Sequence, residues 1–324
     1  MDHRAEVWFR RRTSRWQDWP VEQLLELKQR DGTRISVVIP ARNEERTVAT
    51  VVGPLLKALV TDASLVDELV VIDSDSTDAT GRAASDAGAV VYRACDIAPG
   101  LGARQGKGEA LWKSLLVTKG DVLVFVDADL TRWGPHFVTG LLGPLLADPG
   151  VLLVKGFYAR IRTEADGSVS ADGGRVTELV ARPLLSLWWP QLAGVVQPLA
   201  GEWSARRHLM ESLTIPVGYG VELAALLDTA SRHGLDALAQ VDLGSRAHRH
   251  QANHDLAVMA AELLAVAETR RTGSGPRVCG FALEQYSRDD GQVLRRSRPV
   301  PTGERPPARS AVAAGTPGRS PAAR

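Results

Sequence analysis

Five short runs of β-branched and apolar residues recur between positions 35 and 154, and a helix-length stretch follows most of them. The runs are Ile35 to Ile39, Glu68 to Ile72, Val90 to Tyr92, Val122 to Val126 and Val151 to Val154. The stretches between them are Thr47 to Leu59, Ala79 to Ala87, Gly108 to Val117 and Pro135 to Ala147. Runs this apolar have no wet face. They belong to a sheet covered on both sides, and the intervening helices let successive strands run parallel. The rhythm therefore predicts an α/β fold with a Rossmann-like nucleotide-binding half.

That half spans residues 31–157. Residues 1–30, rich in Arg and Trp with a helical Val21 to Lys28 stretch, read as an N-terminal arm lying on it. A second half, residues 158–287, opens with a Gly- and Asp-rich loop (Ala165 to Gly174). It continues through helices at Tyr219 to Arg232 and Asn253 to Arg271 and a strand at Leu235 to Val241. From Arg288 to Arg324 the chain carries six prolines and eight arginines against three acids, which predicts a disordered, dispensable tail.

A formal net charge of +1 argues against a nucleic-acid partner while leaving a small anion open. Cys95 and Cys279 lack the spacing of a zinc site, and they read as reduced thiols. No apolar run approaches the ~18 residues of a membrane span, and the start, with Asp2, Glu6 and Arg10 to Arg12, lacks an apolar leader core. The expectation is a cytoplasmic protein.

The chemistry concentrates where the strands end. Val122 to Leu130 reads Val-Leu-Val-Phe-Val-Asp-Ala-Asp-Leu, which places Asp127 and Asp129 at the carboxyl edge of the sheet. Ligands of open α/β sheets bind there, and hard carboxylate oxygens hold Mg2+ or Mn2+ against a diphosphate. Alone, the pair reads equally well as two acids capping a turn. The first strand ends Pro40-Ala41-Arg42-Asn43-Glu44-Glu45, and the second ends Asp73-Ser74-Asp75-Ser76-Thr77-Asp78. Three polar strand ends on one edge are better explained by a nucleotide than by capping. Pro99 to Gly108 adds glycines that admit phosphate close to the backbone, followed by the charge of Lys107. It is no Walker A loop, because Glu109 follows Gly108.

These motifs resemble the family 2-like GT-A glycosyltransferases. Lys155-Gly156-Phe157-Tyr158, Gly173 to Leu179, Gln197 to Glu202 and Arg246-Ala247-His248-Arg249 narrow the resemblance to the actinobacterial glucosyl-3-phosphoglycerate synthases, in order over about residues 15–285. It implies a GT-A fold with a mixed, mainly parallel sheet and an acceptor-binding half. The implied reaction is retaining transfer of glucose from UDP-glucose to 3-phosphoglycerate, by a homodimer using Mg2+ or Mn2+.

By residue, the resemblance assigns Pro40, Ala41, Arg42, Glu44, Ser74, Lys107, Asp127, Asp129, Tyr219, Glu222 and Arg246 to the nucleotide sugar, with Asp129, Glu222 and Lys107 closest to the chemistry. Asp129 and His248 hold the metal, imidazole being an acceptable Mn2+ ligand. Gly174, Arg175 and Thr177 take the acceptor phosphate, and the motif has a rationale of its own: helix-start amides, a bidentate cation and a hydroxyl. Where the family carries asparagine after Arg-Ala-His-Arg, this chain has His250, placed with the acceptor. Other donors or acceptors, such as mannosyl or polyprenyl phosphate transfer, and a non-catalytic nucleotide-sugar binder are the competing readings. An inverting reaction would require a base such as Glu222.

Overall fold

In a computed structural model of the chain, the described residues are 2–160, 162–163, 169–170, 174–246, 253–273, 280–289 and 292–315. His248, His250, Gly173 and Cys279 lie outside them.

The strands of the first half are β1 (Thr13–Arg15), β2 (Ile35–Ala41), β3 (Glu68–Asp73), β4 (Val90–Arg93) and β5 (Val122–Phe125). Those of the second half are β6 (Leu153–Arg160), the short pair β7 (Arg162–Thr163) and β8 (Val169–Ser170), β9 (Trp203–Arg206), β10 (Ile215–Pro216) and β11 (Leu238–Arg246). Eight of these form one sheet in the order β1-β11-β6-β9-β5-β2-β3-β4. Seven run parallel, and β9 runs against both of its neighbours, β5 and β6. The carboxyl ends of seven strands and the amino end of β9 therefore share one edge. Asp73, Asp127, Glu202 and Arg246 arrive there from four different parts of the chain.

Helices cover both faces, as the lack of a wet face on the strands requires. On one side α3 (Val48–Leu55) and α6 (His136–Ala147) pack on β2 and β5 through Val51, Leu55, Phe137 and Leu141. On the other, α5 (Lys107–Val117) and α9 (Val221–His233) bury Leu111, Trp112, Leu223 and Leu226. The helix α4 (Thr80–Asp86) follows β3, and α7 (Arg182–Trp188) and α8 (Arg207–Met210) flank β9. The long helix α10 (Asn253–Thr272) packs beside α9.

The amino-terminal segment does more than lie on the domain. After α1 (His3–Arg12), β1 adds an edge strand beside β11, and Trp8 enters the core, 3% exposed. Beyond it α2 (Val21–Asp31) buries Leu24, and Trp19 fills the space left by Gly143 on α6, where a Cβ would sit 2.0 Å from the indole.

The expectation of a disordered tail from residue 288 fails for most of its length. The strands β12 (Phe281–Asp289) and β13 (Gln292–Val300) form an antiparallel hairpin, β14 (Glu304–Arg305) pairs with β10, and α11 (Ala308–Gly315) follows. Composition saw prolines and arginines without partners. In the fold Arg305 is 5% exposed and Ala308 is 2% exposed, both held against α5.

Candidate active site

Lys107 opens α5 between two glycines, and the structure gives those glycines a different reason from the one expected. A Cβ at Gly106 would lie 2.2 Å from the Val217 carbonyl oxygen, and one at Gly108 only 1.8 Å from that of Pro216. Gly106 also has φ 134°, which side chains disfavour. The close approach is to the backbone of residues 216–218. The Gly108 and Glu109 amides donate to the Gly218 and Val217 carbonyls, at 3.1 and 2.9 Å. Two helix-start amides are thereby committed to the protein. What this loop offers an anion is the Lys107 ammonium.

That ammonium stands 2.6 Å from Asp127 Oδ1 and 2.7 Å from Glu222 Oε1. Asp127 Oδ2 is 3.3 Å from Arg246 Nη2, and the same nitrogen lies 3.2 Å from Asp129 Oδ1. Arg246 Nη1 donates to Glu202 Oε2 at 2.8 Å and to the Tyr158 hydroxyl. Two cations thus interleave with four carboxylates at the sheet edge. Burial works against the Lys107 charge, but Asp127 and Glu222 outweigh it and hold its pKa above the ordinary lysine value. Burial likewise opposes the Asp127 charge, and Lys107 with Arg246 outweighs that, keeping the carboxyl below its usual range. Glu202, 0% exposed, goes the other way: burial raises it despite Arg246.

Gly201 fixes the spacing. A Cβ there would fall 2.1 Å from Asp127 Oδ2, so the carboxylate occupies the volume that any side chain would need. Asp129 is the more open of the strand-end pair, its side chain 31% exposed against 23% for Asp127. An accessible hard oxygen donor suits a divalent cation. Among the described residues no three carboxylate, histidine or cysteine groups gather as a complete metal shell.

The first two strand-end loops are tied to each other. Asn43 accepts from the Thr77 amide at 2.9 Å, Ser76 Oγ accepts from the Asn43 amide at 3.0 Å, and Thr80 accepts from the Glu44 amide at 2.7 Å. Asn43 and Asp75 both adopt positive φ, 56° and 57°, in the left-handed region, and two of these bonds hold the Asn43 turn through its amide and side chain. The network shapes a shelf formed by Pro40, the buried Ala41, the exposed Arg42 and the half-buried Glu44 and Ser74. Glu44 also accepts from the Thr47 hydroxyl at 2.8 Å, which serves the start of α3.

Tyr219 and Glu222 leave the 216–220 turn in different environments, Tyr219 43% exposed and Glu222 5%. Lys107, Asp127, Asp129, Glu222 and Arg246 form one cluster. Gly174, Arg175 and Thr177 start a separate helical run, with Gly174 at φ 91°, Arg175 exposed and Thr177 buried.

Four residues of this site carried no assigned role in the sequence reading. Lys155, Tyr158 and Glu202 sat inside motifs noted only as marks of resemblance. Lys155 is 2% exposed and donates to the Ala200 carbonyl at 2.7 Å, and burial lowers its pKa to about 7. Glu262 on α10 had no local signal. Its Oε2 accepts from the Tyr219 amide at 2.6 Å, and burial pushes its carboxyl up to about 7, with the Glu222 charge adding to the effect of burial.

The glycosyl transferase family 2 model matches residues 36–176. The glucosyl-3-phosphoglycerate synthase of Mycobacterium tuberculosis H37Rv is 45% identical over 295 residues, 89% of each chain. A crystal structure of the Mycobacterium tuberculosis synthase with Mn2+, UDP-glucose and phosphoglyceric acid superposes with TM-score 0.79, at 42% identity, over 90% of this chain and 95% of that one. Another, with Mg2+ and UDP, gives TM-score 0.80 at 44% identity over 90% and 96%.

Proposed function

This chain belongs to the glucosyl-3-phosphoglycerate synthases of glycosyl transferase family 2, and from that membership we propose that it transfers glucose from UDP-glucose to 3-phosphoglycerate, releasing UDP. The observation that carries the reading is the interleaved cluster, in which Lys107 and Arg246 set Asp127, Asp129 and Glu222 at the carboxyl edge of a GT-A sheet.

On this reading Pro40, Ala41, Arg42, Glu44 and Ser74 receive the uridine end. Lys107 faces the diphosphate, and Asp127, Tyr219 and Glu222 line the glucose. Gly174, Arg175 and Thr177, with His250, take the acceptor. The bond from C1 to the diphosphate oxygen breaks with its electron pair leaving on UDP. The glycerate hydroxyl oxygen bonds to C1 on the face that UDP departs, and its proton passes to a UDP phosphate oxygen, so configuration is retained without an enzyme nucleophile. Lys107 stands where negative charge grows on the leaving group. Glu222 is engaged by Lys107 at 2.7 Å, which suits sugar positioning better than general-base work. Asp129 fits one ligand position for Mg2+ or Mn2+ and His248 is the second by resemblance; the ion offsets diphosphate charge when bound.

We also read the protein as cytoplasmic, in keeping with the free Cys95 thiol, and as a homodimer, in keeping with the exposed β12–β13 hairpin on which Tyr286 and Val293 are each 62% exposed. No helix among the described residues is long and apolar enough to cross a membrane. Release of UDP on mixing UDP-glucose with 3-phosphoglycerate tests the activity, with GDP-glucose and GDP-mannose as competing donors. Turnover with a GDP sugar alone would overturn the donor, and none with 3-phosphoglycerate the acceptor. The anomeric coupling of the product by NMR tests retention, and light scattering tests the dimer.

A further inference from the structure

Among the described residues, the Arg305 guanidinium gives its hydrogen bonds to residues on either side of Lys107. Nε and Nη2 form a two-pronged pair with Glu109, at 2.6 Å each, two residues beyond the lysine on the first turn of α5. Nη1 and Nη2 also donate to the carbonyls of Leu101 and Gly102, each at 2.7 Å, in the loop that leads into it. Otherwise that loop is held by its own turn, in which the Leu101 and Gly102 amides donate to the Ala98 and Pro99 carbonyls at 3.0 Å each, and by Arg104, whose guanidinium donates to the carbonyl of Glu304, the neighbour of Arg305, at 3.0 Å. Ala98 and Gly102 adopt positive φ, 46° and 72°, and Leu101 to Gln105 are exposed. The guanidinium lies 5.0 Å above the Trp112 ring, and Trp112 Nε1 donates to Pro306 at 2.8 Å.

The strap around Arg305 is itself anchored to the other wall of the site. β14 pairs with β10, and the Val217 amide donates to Gly303 at 3.0 Å, one residue before the Gly218 that receives the Gly108 amide. Glu304 pairs with Arg270 of α10, which also reaches Asp228 of α9 at 3.2 Å. The same short segment therefore grips the loop before Lys107, the helix turn after it and the 216–220 turn that leads to Glu222.

We propose that Arg305 is a positioning residue for the donor site: it holds Lys107 at the distance from Asp127 and Glu222 at which its ammonium meets the diphosphate. The inference rests on the proposed use of Lys107. Arginine is required at this position because only a planar fork serves one carboxylate and two carbonyls at once.

The test uses full-length Arg305→Ala and Arg305→Lys proteins beside the parent. UDP binding with Mn2+ is followed by calorimetry, and KM is measured separately for UDP-glucose and 3-phosphoglycerate. In Arg305→Ala the KM for UDP-glucose should rise at least tenfold while that for 3-phosphoglycerate stays within twofold. Guanidinium ion at non-denaturing concentration should restore part of the donor affinity. Arg305→Lys, the milder change should the alanine protein fail to fold, should show the same donor-selective loss. Hydrogen exchange should quicken at residues 101–107 in both variants. Normal donor affinity in a folded variant, or an equal rise in both KM values without guanidinium rescue, would overturn the proposal. Failure of the parent to bind UDP would instead sink the proposed function, whereas the exchange measurement reads the grip on the loop in either case.

Discussion

Replacing Gly201 by alanine should lower kcat/KM by about a hundredfold and leave the fold intact. The new Cβ would sit 2.1, 2.6 and 2.7 Å from Oδ2, Cγ and Oδ1 of Asp127, against an ordinary contact near 3.4 Å or more. All three close atoms belong to a side-chain end, so the clash is relieved by moving the carboxylate by roughly 1 Å. The backbone need not yield. The cost falls on what the carboxylate holds, because a 2.6 Å bond to Lys107 and a 3.3 Å bond to Arg246 do not both survive such a shift. Loss of one charge-assisted bond costs about 1.5–3 kcal/mol, or ten- to more than a hundredfold, which agrees with the general cost of a 1 Å misplacement in an active site. Gly53→Ala is the matched control: its Cβ would meet nothing within 4 Å, and it sits in α3, where alanine is the better helix former by about 1 kcal/mol. Steady-state kinetics and thermal melts on both variants decide the matter. Wild-type kcat/KM in Gly201→Ala would show that the position of Asp127 is not critical. A collapse in melting temperature would show that the backbone, and not the carboxylate, absorbs the strain.

Asp129→Ala should remove turnover and most metal-dependent UDP affinity, read by calorimetry with Mn2+; unchanged affinity would move the metal elsewhere. Arg175→Lys should raise the acceptor KM and spare UDP-glucose binding, since loss of a fork on phosphate costs roughly 1.5–3 kcal/mol; a normal acceptor KM would remove the Gly174–Thr177 segment from the acceptor site. Glu262→Gln should change how stability depends on pH. The folded carboxyl titrates near 7 against 4.5 for the free group, so the native state holds the extra proton between these values, and the parent loses stability as pH rises from about 4.5 through 7. Glutamine still accepts from the Tyr219 amide and carries no charge, so its advantage over the parent should grow by about 2 kcal/mol between pH 5.5 and 8. Melts of both proteins at pH 5.5 and 8 test this, and a constant difference would refute it.

The nucleotide-binding half was legible because its strands are apolar on both faces and its helices are punctuated by glycine and proline. Ile35 to Ile39 and Val122 to Val126 are strands within a residue or two of their expected limits. The second half was less so. β9, Trp-Ser-Ala-Arg, lacks β-branched residues, and its burial on both faces, Trp203, Ser204 and Ala205 all at 0%, leaves no alternation to detect. Its reversed direction is a property of neighbours 50 to 80 residues away. Strand limits also slipped where turns intervened: Leu235 to Ala237 tighten into a 3-10 turn, and the strand runs Leu238–Arg246, carrying Arg246 to the site edge. In the candidate site, Lys107, Asp127 and Asp129 were marked by their place after a strand or glycine. Glu262, the single charge of an apolar helical run, and Arg305, in a proline-rich segment, were not, because a lone charge acquires meaning only from the partner that folding brings to it.

The contact between Arg305 and Glu109 spans 196 positions of chain. At ~5–20 residues per second, synthesis separates the two partners by about 10–40 s. Throughout that interval the nascent chain can pair β2, β3 and β5, yet Glu109 stands without its guanidinium and the loop before Lys107 without its grip. A messenger cut short between codons 247 and 304 would then yield a polypeptide with every strand of its main sheet and an unset donor lysine. Such products should be idle and exposed to proteolysis at residues 101–106, so translation through residue 305 is itself a checkpoint on activity.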